Sequence, residues 1–535
     1  MPGRLAVDFG TCNTVVAVWD EARQEGMPLR IPDLSRVVHY GPKDAPQSSI
    51  WLTPSVIHYA SSNERWLGQQ VVDHGLYDSR QTFRWMKRYI ATRNSARIQV
   101  SGKGISYFEA GKAFLSSVLL FAAAQIGFDD EEIAFTVPVD AFEHYEDWLA
   151  SVADEVGMRR YRLIDEPSAA ALGYGLHIQP KDVYLVFDFG GGTLDVSVVL
   201  MDESDVASSG RRCRPLGKAA ADIGGMTIDQ WLYKAVLERN GKTEADEEAR
   251  SLSRALLVEC EAAKERLSSE HRAEVSVMNP DTGSLIAAEF GRDDFERVLD
   301  EHDFHATIDQ TIRRALRAAG ERGYSDEHVT AVLMVGGCSL IPAVQSTIRR
   351  IFGRERVHLA RPLDAIARGA AAFVAGVDFY DHIQHDYAVR YVDPHTGSYK
   401  YHGVVSRGTP YPTSGPIKRV TVKATHDEQV QLGLAVFEIS DRGQRRSSQP
   451  VEIVFDPSGA ARMVEVSDEE EERRTYFWMN ERRPTFLTAD PPAKKGEARF
   501  EVEFNVDGNK RLTATAKDLR TGKAVMRDYP LVKLT

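Results

Sequence analysis

The chain has 535 residues, 43% of them hydrophobic, and a net charge of −12 with a pI near 5.7, so it can bury several cores in about three or four domains. Without a Lys/Arg-rich block, that acidity excludes a general nucleic-acid binder and suits acidic clients poorly. Cys12, Cys213, Cys260 and Cys338 are scattered and form no CxxC pair, which gives neither a disulfide framework nor a zinc site and fits a reducing compartment. The chain opens without a charged-then-apolar leader, and the most apolar stretch, 113–126, reads as too short and interrupted to span a bilayer. The expectation is a soluble cytoplasmic protein with no membrane partner.

In chain order, residues 5–18 read as an apolar strand, Asp8-Phe9-Gly10, a small polar turn and a second apolar strand. A loop-rich region follows to about Pro54, then a strand over 55–59 and a basic amphipathic helical piece over 83–90 that contains Lys87. Residues 112–127 predict a buried helix ended by Gly127, 133–138 a buried strand ended by Pro138, and 142–156 another helix. In 162–175, Glu166 precedes a proline suited to a first helical turn, where an acid also complements the helix dipole. Residues 184–199 repeat the opening pattern as strand, Gly190-Gly191-Gly192 turn and strand.

Further on, Gly224-Gly225 makes a second glycine turn into a helix beginning near Ile228, and 251–267 carries apolar residues at helical spacing. A helix over 304–319 leaves His302 and His305 as surface histidines that lack the company a metal site needs. Residues 329–342 read as a buried strand entering a helix through Gly336-Gly337, and 361–371 as a small-residue helix. From about Tyr387 the pattern turns to β, with period-two strands over 420–424, 430–439 and 500–506, a turn at Asp507-Gly508-Asn509 and a partner strand over 512–516. The acidic run 468–472 reads as solvated. Gly241-Lys242-Thr243 and Gly111-Lys112 are not P-loops, because the glycine needed five positions earlier is missing; for Gly241 that position is Val236.

Chemistry concentrates in the two hairpins. Successive glycines let backbone N–H groups wrap a phosphate, and Thr193 adds a hydroxyl. Asp188 and Asp195 flank that turn, and carboxylates beside a triphosphate suit Mg²⁺, whose retained waters they can hold. The same device about 180 residues earlier points to a duplicated fold closing on one ligand from both sides. Lys87 could reach a γ-phosphate or lie on a solvated face, and Glu166 could orient the attacking water. Glu261, Lys264 and Ser268 could line one face of their helix or simply be solvated.

These residues resemble the DnaK-type, seventy-kilodalton heat-shock chaperones within the actin and sugar-kinase ATPase fold. The resemblance is carried by Asp8-Phe9-Gly10-Thr11, Lys87-Arg88, Glu166-Pro167-Ser168-Ala169-Ala170-Ala171-Leu172, Asp188-Phe189-Gly190-Gly191-Gly192-Thr193-Leu194-Asp195 and Val335-Gly336-Gly337, in that family's order. It covers the first 376 residues well and is thinner beyond, where 407–413 and 500–518 look like the family's peptide-binding β-sandwich.

The resemblance implies a duplicated two-lobed actin-like ATPase domain over 1–378, an atypical linker over 379–398 and an antiparallel β-sandwich substrate-binding-like domain over 399–535. It implies ATP or ADP with Mg²⁺ in the cleft. Gly10, Thr11, Gly190, Gly191 and Gly192 would surround the phosphates, with Cys12, Gly224, Gly225 and Gly336 in further ligand-facing turns. Asp8 and Asp188 would hold the hydrated metal, and Lys87, Glu166, Thr193 and Asp195 would arrange the γ-phosphate and its attacking water. Glu261, Lys264, Ser268 and Gly337 would fall around the adenosine. Unfolded or extended peptides are the implied clients, and a J-domain co-chaperone, near Arg162, and a nucleotide exchange factor are the implied partners.

There are departures from the family pattern. Residues 377–386 lack the leucine-rich acidic linker, which puts interdomain coupling in question. Glu146 stands where many members have an arginine, Leu340 replaces an arginine beside the adenine, and Leu363 a frequent acid. The sequence stops at Thr535, so a lidless member with an open, fast-releasing groove is expected. The favoured reading is an ATP-hydrolysing chaperone, set against a nucleotide-dependent module for one dedicated partner and, last, a small-molecule kinase. Cys12 and Cys338 could form a redox switch on nucleotide binding, but small turn-filling residues are the simpler reading.

Overall fold

The computed structural model describes residues 4–40, 48–61, 64–128, 131–138, 143–158, 160–175, 182–202, 212–375, 383, 385–393, 396–407, 409, 413, 415–439, 451–455, 461–465, 475–481, 483–507 and 511–534. The chain divides into two compact units. One comprises Met1–Val139, Tyr145–Phe379 and Gln449–Glu465; the other comprises Asp140–His144, Tyr380–Ser448 and Val466–Thr535. The acidic run 468–472, the turn at 508–509 and most of 376–384 and 408–414 lie outside the described residues.

The first unit holds two sheets built on one plan. In the first, strand Leu5–Phe9 forms an antiparallel hairpin with Asn13–Asp20 and pairs in parallel with Ile133–Val137, which continues to Tyr161–Asp165. In the second, Val183–Phe189 forms an antiparallel hairpin with Leu194–Asp202 and pairs in parallel with Val329–Val335. The duplication expected from the two hairpins is therefore present in the topology. Leu5, Ala6 and Val7, like Leu185, Val186 and Phe187, are almost wholly buried in sequence. Such unbroken apolar runs mark parallel strands covered on both faces.

Helices Glu166–Gly173 and Ala365–Val374 pack against each other in the core that both sheets share. Their residues are small for a steric reason. A Cβ on Gly173 would overlap the Ala365 carbonyl oxygen, and one on Gly369 would overlap that of Ala169. The helix at Glu166 starts where the sequence indicated: Asp165 caps it by accepting from the Ser168 N–H at 2.9 Å, and Pro167 sits in the first turn.

Several elements differ from expectation. The region before Pro54 contains strands Glu25–Pro28, Arg36–Tyr40 and Ser48–Pro54; these are short and only partly buried, so period-two alternation in them is weak. Strand Arg212–Ala221, unpredicted, extends the second sheet and leads into the glycine turn, and the helix there runs Gly225–Arg239, three residues earlier than expected. The apolar helix is Tyr107–Ile126, capped reciprocally by Ser106 and Glu109 and closed by Gly127 in the left-handed region. At 20 residues it is longer than the 113–126 stretch and could cross a membrane by length and composition only, a test that buried core helices also pass, and half of it is buried inside the protein. It buries Phe114, Leu115, Val118 and Leu119 in the unit.

The second unit is an antiparallel β-sandwich. One four-stranded sheet runs Tyr399–Val405, Asp386–Val392, Val436–Ile439, Tyr476–Trp478, and another runs Lys418–Lys423, Ala498–Val506, Arg511–Asp518, Ala524–Lys533. Tyr387, Val389 and Val436 share one core with Phe500, Val502, Phe504, Leu512 and Ala514. Residues 386–392, which the resemblance placed in the linker, form a strand, as the β pattern from about Tyr387 indicated. The single strand expected over 430–439 is two, Gln429–Leu434 and Val436–Ile439, in different sheets. Arg499 is wholly buried and bonds Asp518 at 2.8 Å.

Candidate functional site

Four glycine turns of the first unit converge. Gly191 lies so close to Cys12 that a Cβ would overlap its Sγ, and a Cβ on Gly192 would lie 3.2 Å from Thr11 Oγ1, so the two hairpin turns meet face to face. The third turn is bonded to the second: Gly225 N–H donates to the Gly190 carbonyl at 3.1 Å and Met226 N–H to that of Gly191 at 2.9 Å. A Cβ on Gly224 would sit 2.5 Å from the Gly192 carbonyl carbon. Gly336, at φ 82°, donates to the Pro362 carbonyl and passes directly over the Phe189 carbonyl. Gly10 turns tightly over the Asn13 carbonyl, and Arg88 Nη1 holds the Gly192 carbonyl at 3.0 Å. Gly337 is different, opening a short 3-10 turn where a Cβ would only touch Leu363 Cδ2 at 3.9 Å.

Ionisable side chains line these turns. Asp8 ends the first strand and accepts from Thr136 Oγ1 at 2.8 Å. Asp188 ends the corresponding strand opposite Asp195, and Thr193 Oγ1 donates to Asp195 Oδ2 at 2.6 Å. Lys87, in the first turn of Met86–Ala91, pairs with Glu166, and both side chains are nearly buried, at 11% and 12% exposure. Burial raises Asp8, Glu166 and Asp188 above the usual carboxylate range despite the pull of Lys87, and Asp188, beside Glu166, Asp195 and Asp8, is raised furthest. Burial lowers Lys87, but Glu166 and Asp8 outweigh it and keep the ammonium protonated.

At Gly10, Gly191, Gly224 and Gly336 the backbone cradle has no room for a side chain, and the adjoining carboxylates are in excess over Lys87. Phosphates fit the first feature and a divalent cation the second. Among the described residues no three acidic, His or Cys side chains enclose a bare ion.

The helix Glu247–Ser269 supplies the remaining predicted residues. Lys264 Nζ reaches the turns, 3.1 Å from the Gly225 carbonyl and 2.7 Å from Asp229. Burial pushes the Asp229 carboxyl up to about 7 even beside that ammonium. Glu261 is paired with Arg84, whose guanidinium lies 4.2 Å from the Tyr77 ring and 4.5 Å from that of Trp85. Ser268 Oγ bonds its own helix at the Lys264 carbonyl, 3.2 Å away. Sequence reasoning missed Asp229, Arg84 and Thr136. Thr136 sits inside an apolar strand run, and Asp229 and Arg84 belong to no motif and are brought in by helix placement alone.

Two expected results follow locally. Gly191→Ala drives its methyl into Cys12 Sγ and should weaken nucleotide affinity at least about tenfold, with Cys12→Ala restoring part of it; fluorescent-nucleotide titration measures both. Burial raises the Cys12 thiol and pushes Cys338 up to about 12, so neither is a thiolate near neutrality. Peroxide treatment should accordingly leave nucleotide affinity unchanged, which the same titration checks.

Comparison with known proteins agrees with this architecture. The family model described as Hsp70 protein matches residues 149–451, and the chain belongs to that family. It is 27% identical, over 558 aligned positions, to the chaperone protein DnaK of Deinococcus proteolyticus; the alignment covers 98% of this chain and 78% of that protein. The fold is accordingly the family's two-lobed actin-like ATPase unit with a β-sandwich.

Proposed function

We propose that this chain binds Mg-ATP in the cleft between the two hairpins, hydrolyses it, and couples that cycle in the cytoplasm to binding exposed apolar peptide segments. The observation that carries the reading is the Lys87–Glu166 pair, buried beside Asp8 and Asp188 where the glycine turns converge. In this reading residues 1–378 are the nucleotide-binding domain, and the peptide-binding domain, expected over 399–535, begins with strand Asp386–Val392, so that the linker expected over 379–398 is confined to the residues before it. Gly10, Thr11, Cys12, Gly190, Gly191, Gly192, Gly224, Gly225, Gly336 and Gly337 contact the nucleotide, together with Glu261, Lys264 and Ser268.

Bound Mg²⁺ would neutralise developing charge on the phosphates, with Asp8 and Asp188 holding its waters. The residues of this chain do the rest. Lys87 fixes the γ-phosphate by charge. Glu166 and Asp195, with Thr193 bonded to the latter, orient the attacking water and take its proton. Peptides would bind the sandwich as extended strands through main-chain hydrogen bonds. A J-domain co-chaperone and an exchange factor are the proposed regulators.

A second reading, a module for one dedicated partner, is favoured by the linker sequence 377–386, which lacks the leucine-rich acidic pattern. Steady-state ATP turnover with and without an unfolded model polypeptide separates the two. The chaperone reading expects turnover raised by the polypeptide; turnover indifferent to it favours the dedicated partner.

A further inference from the structure

Tyr145 lies in the first turn of helix Glu143–Glu155, which follows the strand whose Thr136 holds Asp8. Its side chain is 0% exposed, with the ring 5.6 Å from Trp148, itself 5.5 Å from Phe9. That aromatic packing fixes the ring without using the hydroxyl. Tyr145 Oη is buried and has no hydrogen-bond partner among the described residues. A buried hydroxyl left unpaired is destabilising, and phenylalanine would pack as well without that cost. The charged groups that act on it are Lys87, Glu166 and Asp8, contributed by three different elements. All three belong to the end of the cleft where the terminal phosphate is expected.

We propose that Tyr145 Oη donates a hydrogen bond to the terminal phosphate of bound ATP, so that this chain distinguishes ATP from ADP partly through a residue outside every motif in its sequence. The inference rests on the reading of the cleft as a nucleotide site. Burial, with Glu166 and Asp8, raises the phenol further above its ordinary value, which keeps the donor proton in place. No proton leaves the tyrosine in this role; the bond adds to the charge held by Lys87.

The test is Tyr145→Phe, with dissociation constants for ATP and ADP measured side by side in Mg²⁺ and thermal melting of the nucleotide-free protein. ATP affinity is expected to fall about 10-fold to 100-fold, the usual worth of a hydrogen bond to a charged group. ADP affinity should stay within about twofold, and the nucleotide-free protein should melt at the same or a higher temperature, because the unpaired hydroxyl is gone. An unchanged ATP-to-ADP affinity ratio would overturn the proposal while leaving the nucleotide site intact. Wild-type protein that binds neither nucleotide would overturn the cleft reading and this proposal together. Should the phenylalanine variant not fold, 3-fluorotyrosine at position 145, a stronger donor of nearly the same shape, should tighten ATP relative to ADP; an unchanged ratio there counts equally against it.

Discussion

Lys87→Met should lower the rate of ATP cleavage by about 10²- to 10³-fold while leaving Mg-ATP bound, since in the proposed mechanism it removes a fixed charge at the reacting phosphate and leaves the backbone cradle intact. The substitution has a second consequence, because Glu166 would remain buried without its partner. Breaking a buried pair from one side costs about 3–5 kcal/mol. Glu166 already titrates above the ordinary glutamate value of 4.5, and losing Lys87 raises it further. A carboxyl whose folded value exceeds its unfolded one binds protons more tightly when folded, so folding weakens as pH rises above the unfolded value. The stability deficit of Lys87→Met should therefore be small near pH 4.5 and grow towards neutrality, as denaturant melts across pH would record. Lys87→Met with Glu166→Gln should recover most of the stability at neutral pH and none of the turnover. The recovered stability isolates the cost of the unpaired buried carboxylate, and turnover stays absent because both substitutions remove groups of the proposed reaction machinery.

Gly369→Ala should be among the most destabilising single-methyl changes available in the first unit. The added Cβ would overlap the carbonyl oxygen of Ala169, which is backbone and cannot rotate away, and Gly173 faces the Ala365 carbonyl in the same way. Relief requires the helices Glu166–Gly173 and Ala365–Val374 to part, and they fill the core shared by both sheets. A loss above about 4 kcal/mol is expected, from overpacking combined with loss of helix contact. Nucleotide binding should fall with it, because Glu166 opens one of the displaced helices. Gly320→Ala is the matched control: that glycine closes helix Phe304–Gly320 with nothing within 4 Å of the added carbon, and the change should be neutral or stabilising by up to about 1 kcal/mol. Thermal melts of the two variants give the comparison directly.

How much of this was legible in the sequence depended on whether chemistry and local pattern coincided. The hairpins were, because Gly190 to Gly192 and the Asp8-Phe9-Gly10 turn join strand runs through glycines, of which Gly10 and Gly191 leave no room for a Cβ, and the duplicated topology follows from them. Lys87 and Glu166 were named as candidates, but their pairing was not, since 79 residues separate them and only the tertiary fold brings them into contact. Strands such as Arg36–Tyr40 and Arg212–Ala221 were missed for want of clean alternation; the latter reads Arg-Cys-Arg-Pro before its apolar half. Arg84 reads from sequence as one more cation in a basic segment, yet it is buried between two aromatic rings and Glu261. Tyr145 was invisible for the same reason: a tyrosine in an amphipathic helix carries no signal until its hydroxyl is found without a partner among the described residues, in the field of Lys87, Glu166 and Asp8.

The most direct measurement of the central claim is a single turnover of γ-labelled ATP pre-bound with Mg²⁺ to excess protein, followed for ADP, free phosphate and any labelled organic product. The expected result is stoichiometric ADP and free inorganic phosphate from the wild type, with the Lys87→Met complex retaining intact ATP over the same interval. Intact ATP in the wild-type complex, or label delivered to an organic acceptor, would contradict hydrolysis in this cleft.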